Sequence, residues 1–83
     1  MPAMNPVTHA NQIGATLAAR RKALALSQME VAARLGLSQN RLSELESRPE
    51  TMTTEQLLGL LNVLGLEMAI AARVSTPKPK VEW

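Results

Sequence analysis

The 83-residue chain has no cysteine, phenylalanine or tyrosine, one histidine and one tryptophan. Without cysteine, neither a disulfide nor a thiolate metal site can hold the fold together, and a lone His9 cannot build a zinc site. The core must therefore be aliphatic, and the many leucine, alanine and valine residues suit packed helices. We expect one small all-α domain without metal or cofactor. Because so small a domain buries a limited core, we also expect oligomerisation to contribute to its stability.

The chain also lacks the patterns of membrane, secreted and catalytic proteins. No apolar run approaches the roughly 20 residues of a membrane-spanning helix. The first eight residues lack the basic and apolar regions of a signal peptide, so we expect a cytoplasmic protein. There is no Gly-rich phosphate loop, nucleophile elbow or metal-ligand spacing of carboxylates, so the sequence favours a binding protein over an enzyme.

The net charge of +2 is unevenly distributed. Residues 1–43 carry five basic side chains and one acidic one, whereas residues 44–83 carry four basic and six acidic ones. Such a basic half suits a polyanionic partner. A mixed, solvated surface explains the charge alone equally well.

Residues 27–46 have the pattern of two short helices joined by a tight turn. Ser27 and Glu30 have the spacing of a capping box, and Ser38 can cap the second helix. Gly36 stands where a helix would end in a left-handed residue. Apolar residues at helical spacing face inward at Val31, Ala32, Leu35, Leu42 and Leu45. The pattern predicts a helix-turn-helix, with Gln39, Asn40, Arg41, Ser43 and Glu44 facing outward.

Two further helices are predicted around this unit. The first begins at a cap on Thr8 or Asn11 and ends near Leu24, with Ile13, Leu17 and Leu24 inward. The cations at its end, Arg20, Arg21 and Lys22, complement the helix dipole, and one or two of them are candidates for phosphate contacts. The last helix begins at Thr53 and stops at Gly65. Its broad apolar face comprises Leu57, Leu58, Leu60, Leu61 and Leu64, which we assign to the core.

Residues 66–73 alternate between apolar and other side chains, as on a strand with one buried face. A lone strand leaves its backbone groups unpaired, so it predicts pairing with the same strand of a second copy in a homodimer. The alternative is a short fifth helix. These expectations divide the chain into a flexible arm (residues 1–8), a DNA-binding and dimerisation domain (residues 9–73) and a disordered tail (residues 74–83).

A helix-turn-helix predicts a specific mode of DNA binding. The helix after Ser38 enters the major groove, where Arg41 can make a bidentate contact to guanine, and Gln39 or Asn40 to adenine. Ser43 can reach a base or a phosphate, whereas Glu44 is expected to face solvent or an intramolecular partner. Gln28 can bind a phosphate and brace Gln39. A dimer would place two such helices about 34 Å apart on an inverted repeat.

The chain resembles the Cro and lambda-repressor-like family of helix-turn-helix proteins. The residues that carry the resemblance lie between Leu17 and Leu64, chiefly Ser27-Gln28, Val31-Ala32, Leu35-Gly36-Leu37-Ser38 and Leu42-Ser43-Glu44-Leu45-Glu46. The resemblance implies a bundle of four or five helices that binds operator DNA, usually as a dimer. It also places Gln28, Ser38, Gln39, Asn40, Arg41 and Ser43 at DNA-contacting positions.

A narrower resemblance, to HipB-type antitoxins, depends on the strand after Gly65 and on the final Glu82-Trp83. It implies a dimeric repressor of its own operon that binds a HipA-like toxin kinase, with Trp83 at the toxin contact. The short tail, rich in proline and lysine, departs from that family. Two alternatives remain open: a stand-alone repressor of phage or plasmid type, and a protein-interaction module that has lost DNA binding.

Overall fold

A computed structural model describes residues 6–72. In this part of the chain there are four α-helices: α1 (Ala10–Ala23), α2 (Gln28–Arg34), α3 (Gln39–Ser47) and α4 (Thr54–Leu64). A 3-10 turn (Pro49–Thr51) connects α3 to α4. Helix α3 packs against both α1 and α2, and α4 closes the bundle. The prediction of an all-α helical bundle is confirmed for these residues.

Helices α2, α3 and α4 begin at the predicted caps. The side-chain oxygens of Ser27, Ser38 and Thr53 each accept the backbone N–H three residues later, at 3.0 Å. Helix α1 differs, because its N-cap is His9 rather than Thr8 or Asn11. The side chain of Gln12 accepts the His9 N–H at 2.9 Å, so the glutamine in the first turn fixes where α1 begins.

Three of the described helices end in the same backbone motif. After α2 and α4, Gly36 and Gly65 adopt left-handed φ angles of 69° and 68°. This conformation was predicted for Gly36, and Gly65 was predicted as the stop of its helix. The following N–H bonds back by five residues, from Leu66 to the carbonyl of Leu61 at 2.8 Å in α4. Helix α1 ends in this way at Ala25, whose φ is 58°. Nothing in the sequence pattern predicts a left-handed alanine there.

The core is aliphatic, as predicted. Its fully buried side chains are Leu17, Val31, Ala32, Leu42, Leu45, Leu60 and Leu64. Two of the residues assigned to the interior are more exposed than expected. Leu24 lies past the end of α1 and is 40% exposed, and Leu58 on α4 is 46% exposed. Part of the apolar face of α4 is therefore left uncovered by the rest of the described chain.

Helix α1 crosses the end of α3 at very short range. Gly14 is buried there, and a Cβ atom at this position would overlap the carbonyl oxygen of Glu46. The side chain of the buried Pro49 also lies close to the position of that Cβ atom. Because Gly14 has no side chain, α1 can approach the end of α3 this closely and hold it in place.

Residues 66–72 form neither helix nor strand. The fifth helix considered from the sequence is therefore not formed in this segment. Met68 is 47% exposed and Ile70 is 94% exposed. A strand that pairs only with its copy in a second chain forms no ladder of hydrogen bonds within a single chain. The strand and the homodimer therefore stay predictions. Most of the predicted arm, the whole tail and Trp83 lie outside the described residues.

Candidate functional site

The outward surface of α3 brings most of the predicted site residues together. Ser38 caps the helix, and Gln39, Asn40, Ser43 and Glu44 are exposed beyond it, while Arg41 is half-buried. The buried Leu42 and Leu45 on the opposite side fix this orientation against the core. The amphipathic pattern of α3 therefore presents polar side chains and the helix N-terminus on one surface.

This surface forms an open concavity of about 600 Å³. Its lining residues are Ser38, Asn40, Arg41, Ser43, Glu44, Ser47 and Arg48. Serine hydroxyls, a carboxamide and two guanidinium groups are suitable donors for phosphate oxygens and base edges. Ser47 and Arg48, at the end of α3, were not predicted as site residues. They could have been found by following the face of Ser43 one helical turn further.

The side chain of Arg41, the predicted base-reading residue, lies against the surface of the protein. Its Nη1 donates to Glu44 Oε1 at 2.6 Å, and its Nη2 donates to the Thr51 carbonyl at 3.3 Å. The Arg41 side chain is 32% exposed and the Glu44 side chain 46% exposed. Glu44 is thus the intramolecular partner that the sequence predicted as one of its two roles.

Gln28 braces α3 at a different point from the one expected. Its Nε2 donates to Glu46 Oε1 at 2.9 Å, near the end of α3, whereas the expected partner was Gln39 at the start of the helix. The side chain is half-buried at the first turn of α2. Its role as a phosphate ligand stays a prediction.

Two of the three cations at the end of α1 have partners inside the protein. Arg20 Nε donates to the Leu64 carbonyl at 2.8 Å. Arg21 is 9% exposed and binds Glu46 through two nitrogens, at 2.7 Å and 3.1 Å. Arg21 Nη1 also donates to the Leu26 carbonyl at 3.0 Å. The position of Arg21 four residues after Leu17, on the inward stripe, was the available signal that it belongs to the interior.

The capping box of α2 has an electrostatic consequence. The Ser27 N–H donates to Glu30 Oε1 at 2.8 Å, and this hydrogen bond lowers the pKa of Glu30 below its ordinary value. The Ser27 hydroxyl and the charge of Arg34 lower the same pKa further. The ionised carboxylate of Glu30 in the first turn of α2 therefore complements the positive end of the helix.

Within residues 6–72, no group of three or more histidine, aspartate or glutamate side chains is placed to hold a metal ion. No helix in this range has the length and apolar character needed to cross a membrane.

A protein-family model described as a helix-turn-helix domain matches residues 12–73, which is most of the chain. The match covers all of α2, α3 and α4, and most of α1. It therefore includes every predicted site residue on the two central helices. The search of curated proteins found no match.

Proposed function

We propose that this chain, which belongs to the helix-turn-helix domain family, is a transcriptional repressor that reads operator DNA with the outward surface of α3. The observation that carries the proposal is the grouping of exposed Gln39, Asn40 and Ser43 with Arg41 on one face of α3. Helix-turn-helix domains bind DNA through the first turns of their second helix, where these residues lie.

The roles of the individual residues follow from the major-groove geometry. Arg41 has a guanidinium fork that matches O6 and N7 of guanine, and the amides of Gln39 and Asn40 match N6 and N7 of adenine. Ser38 and Ser43 are short donors suited to phosphate or base edges. The half-buried Gln28 adds a phosphate contact from the start of α2.

We further propose that the repressor is a homodimer joined through residues 66–73. Met68 and Ile70 project apolar surface from a segment whose backbone has neither helical nor sheet bonding within the described chain. Pairing of this segment with its copy around a two-fold axis would cover the apolar side chains and provide partners for the backbone groups. Two α3 helices would then bind half-sites of an inverted repeat, about 34 Å apart.

The narrowest part of the proposal is an antitoxin role with a HipA-like toxin kinase, in which the dimer represses its own operon. Its support is the resemblance to HipB-type antitoxins, in which a terminal tryptophan corresponding to Trp83 contacts the toxin. A stand-alone repressor of phage or plasmid type is the second candidate, since it needs only the α3 surface and the dimer. A protein-interaction module without DNA binding is the third.

DNA binding is tested by fluorescence anisotropy with a labelled duplex from the region upstream of the gene. We expect binding that weakens steeply with salt, because lysine and arginine contacts to phosphate release counterions. A scrambled duplex of the same composition should bind more weakly. Equal binding to both duplexes would contradict a repressor, and the absence of any binding would favour the interaction module.

The dimer is tested by light scattering on Ile70→Asp, with Ala71→Asp as the matched control. Ile70 is 94% exposed in the single chain, so a charge there should leave the bundle folded while preventing the apolar faces from meeting. We expect a monomer for Ile70→Asp and a dimer for the control. A wild-type chain that is monomeric at all concentrations would contradict the proposed pairing.

The antitoxin role is tested by co-expression with any kinase gene encoded beside this one. We expect the two proteins to co-purify and the kinase to lose its growth inhibition. Trp83→Ala should weaken the complex while leaving DNA binding intact. Co-purification that is unchanged by this substitution would remove the assigned role of Trp83, and its failure with the wild-type chain would favour the stand-alone repressor.

A further inference from the structure

We infer that Glu44 restrains the base contact of Arg41 by holding its guanidinium in a latch, an inference that rests on the proposed DNA binding. The latch consists of Arg41, Glu44 and the carbonyl of Thr51. Arg41 donates to Glu44 Oε1 at 2.6 Å and to the Thr51 carbonyl at 3.3 Å. Both bonds hold the guanidinium on the protein surface beside the concavity of α3.

The latch is anchored in a well-bonded segment. The Thr51 N–H donates to the Arg48 carbonyl at 3.0 Å, and the Thr51 hydroxyl donates to the same oxygen at 2.8 Å. Thr51 lies in the 3-10 turn after α3, whereas Arg41 lies in the first turn of the helix. The Arg41 side chain therefore runs along α3 toward its far end instead of projecting away from it.

Arg41 must give up these two bonds to contact a base. Guanine alone presents two acceptors, O6 and N7, to one guanidinium in the major groove. At the other bases Arg41 would exchange two bonds for one or none. A phosphate offers oxygens on any sequence, but Arg41 must leave Glu44 for that contact just as it must for a base. At other sites Arg41 stays in the latch, so the latch lowers affinity most for a sequence that places guanine at Arg41.

The inference predicts a particular effect of Glu44→Gln. Glutamine keeps the size of the side chain but loses the charge that holds Arg41, so Arg41 no longer gives up an ion pair to reach guanine. Affinity for the preferred sequence should rise more than affinity for DNA of unrelated sequence. We expect the ratio between the two affinities to rise about two- to five-fold, the range expected for one partly exposed ion pair.

Glu50→Gln is the matched control. Glu50 pairs with Arg48 at 3.7 Å on the same side of the molecule, and its side chain is 60% exposed. This substitution removes the same formal charge but leaves the latch intact. A uniform rise in affinity on all DNA should appear in both variants, whereas a rise in the specificity ratio should appear in Glu44→Gln alone.

The experiment first selects a preferred sequence for the wild-type protein from a pool of duplex DNA with a randomised centre. Dissociation constants are then measured for the selected and a scrambled duplex, using the wild type, Glu44→Gln, Glu50→Gln, Arg41→Ala and the double variant Arg41→Ala with Glu44→Gln. In the Arg41→Ala background, Glu44→Gln should change the specificity ratio no more than Glu50→Gln does.

The outcomes separate the two proposals. If the wild type selects a sequence but Glu44→Gln leaves the specificity ratio unchanged, the latch is overturned and DNA reading stands. If Glu44→Gln raises the ratio equally with and without Arg41, Glu44 acts independently of Arg41 and the latch is also overturned. If the wild type selects no sequence and binding is insensitive to salt, the proposed function fails and the latch fails with it.

Discussion

Arg21 and Glu46 join α1 to the end of α3 through a two-pronged ion pair. The two contacts are 2.7 Å and 3.1 Å long, and both side chains are only 11% exposed. Glu46 Oε1 also accepts from Gln28 at 2.9 Å, which adds α2 to the same cluster. The Glu46 carboxylate on α3 therefore binds side chains of both α1 and α2, the two helices that hold α3 in position.

The first prediction concerns this cluster. Arg21→Met should lower the free energy of unfolding by about 3 kcal/mol, because it leaves the Glu46 carboxylate buried without its cation. Glu46→Gln should be destabilising for the reciprocal reason. Chemical denaturation followed by circular dichroism measures both variants.

The matched control is the double variant of Arg21→Met with Glu46→Gln. It should be more stable than the sum of the single effects predicts, with a coupling of about 2 kcal/mol. A coupling near zero would show that the two charges do not stabilise each other.

The second prediction concerns the crossing of α1 and α3. On helix propensity alone, Gly14→Ala should stabilise α1 by about 1 kcal/mol. We expect the opposite sign, a loss of about 2 kcal/mol or more, because the added Cβ would overlap the Glu46 carbonyl. Thermal unfolding measures the change. Ala15→Gly, at the exposed neighbouring position, is the control for propensity and should cost about 1 kcal/mol. A Gly14→Ala variant more stable than wild type would mean that the two helices are not in close contact.

The third prediction concerns the left-handed alanine after α1. Ala25 has a φ of 58°, which is strained for a residue with a Cβ atom. Ala25→Gly should therefore raise the free energy of unfolding by up to about 1 kcal/mol. Gly36→Ala is the reverse experiment, because a Cβ there meets nothing within 4 Å and only the backbone cost remains. It should destabilise by a similar amount. Changes of the same sign in the two variants would contradict the shared conformation.

The fourth prediction concerns pH. The hydrogen bonds from Ser27 lower the pKa of Glu30 in the folded protein below the ordinary value of 4.5. The stabilisation from ionised Glu30 is therefore complete above that value and is lost as the pH falls through the lowered folded pKa. Glu30→Gln, which keeps an oxygen acceptor for the cap, should lose less stability on acidification than wild type. Denaturation curves at several pH values test this, and parallel pH profiles for the two proteins would exclude Glu30 as a contributor.

Features set by neighbouring residues were predictable from the sequence. The caps at Ser27, Ser38 and Thr53, the left-handed Gly36 and the helix stop at Gly65 each depend on a few adjacent positions, and all were predicted correctly. The same is true of the exposed face of α3, because it follows from the spacing of Leu42 and Leu45. Local chemistry therefore determined most of the helix-turn-helix.

Features that depend on long-range contacts were not predictable. The pairing of Arg21 with Glu46 spans 25 residues, and the contact of Gly14 with the end of α3 depends on how the helices cross. Ala25 adopts its unusual backbone where the chain leaves α1, although its side chain does not favour that conformation. The position of Arg41 depends on a carbonyl ten residues away, so sequence spacing identified the base-reading candidate but not the contacts that hold it.

The central claim, that α3 reads base sequence through Arg41, is tested most directly by the preference of Arg41→Lys for its selected duplex over a scrambled one. Lysine keeps the positive charge but lacks the guanidinium fork. We predict that Arg41→Lys retains the salt dependence of wild type but loses about ten-fold in preference. A preference equal to that of wild type would contradict sequence reading by Arg41.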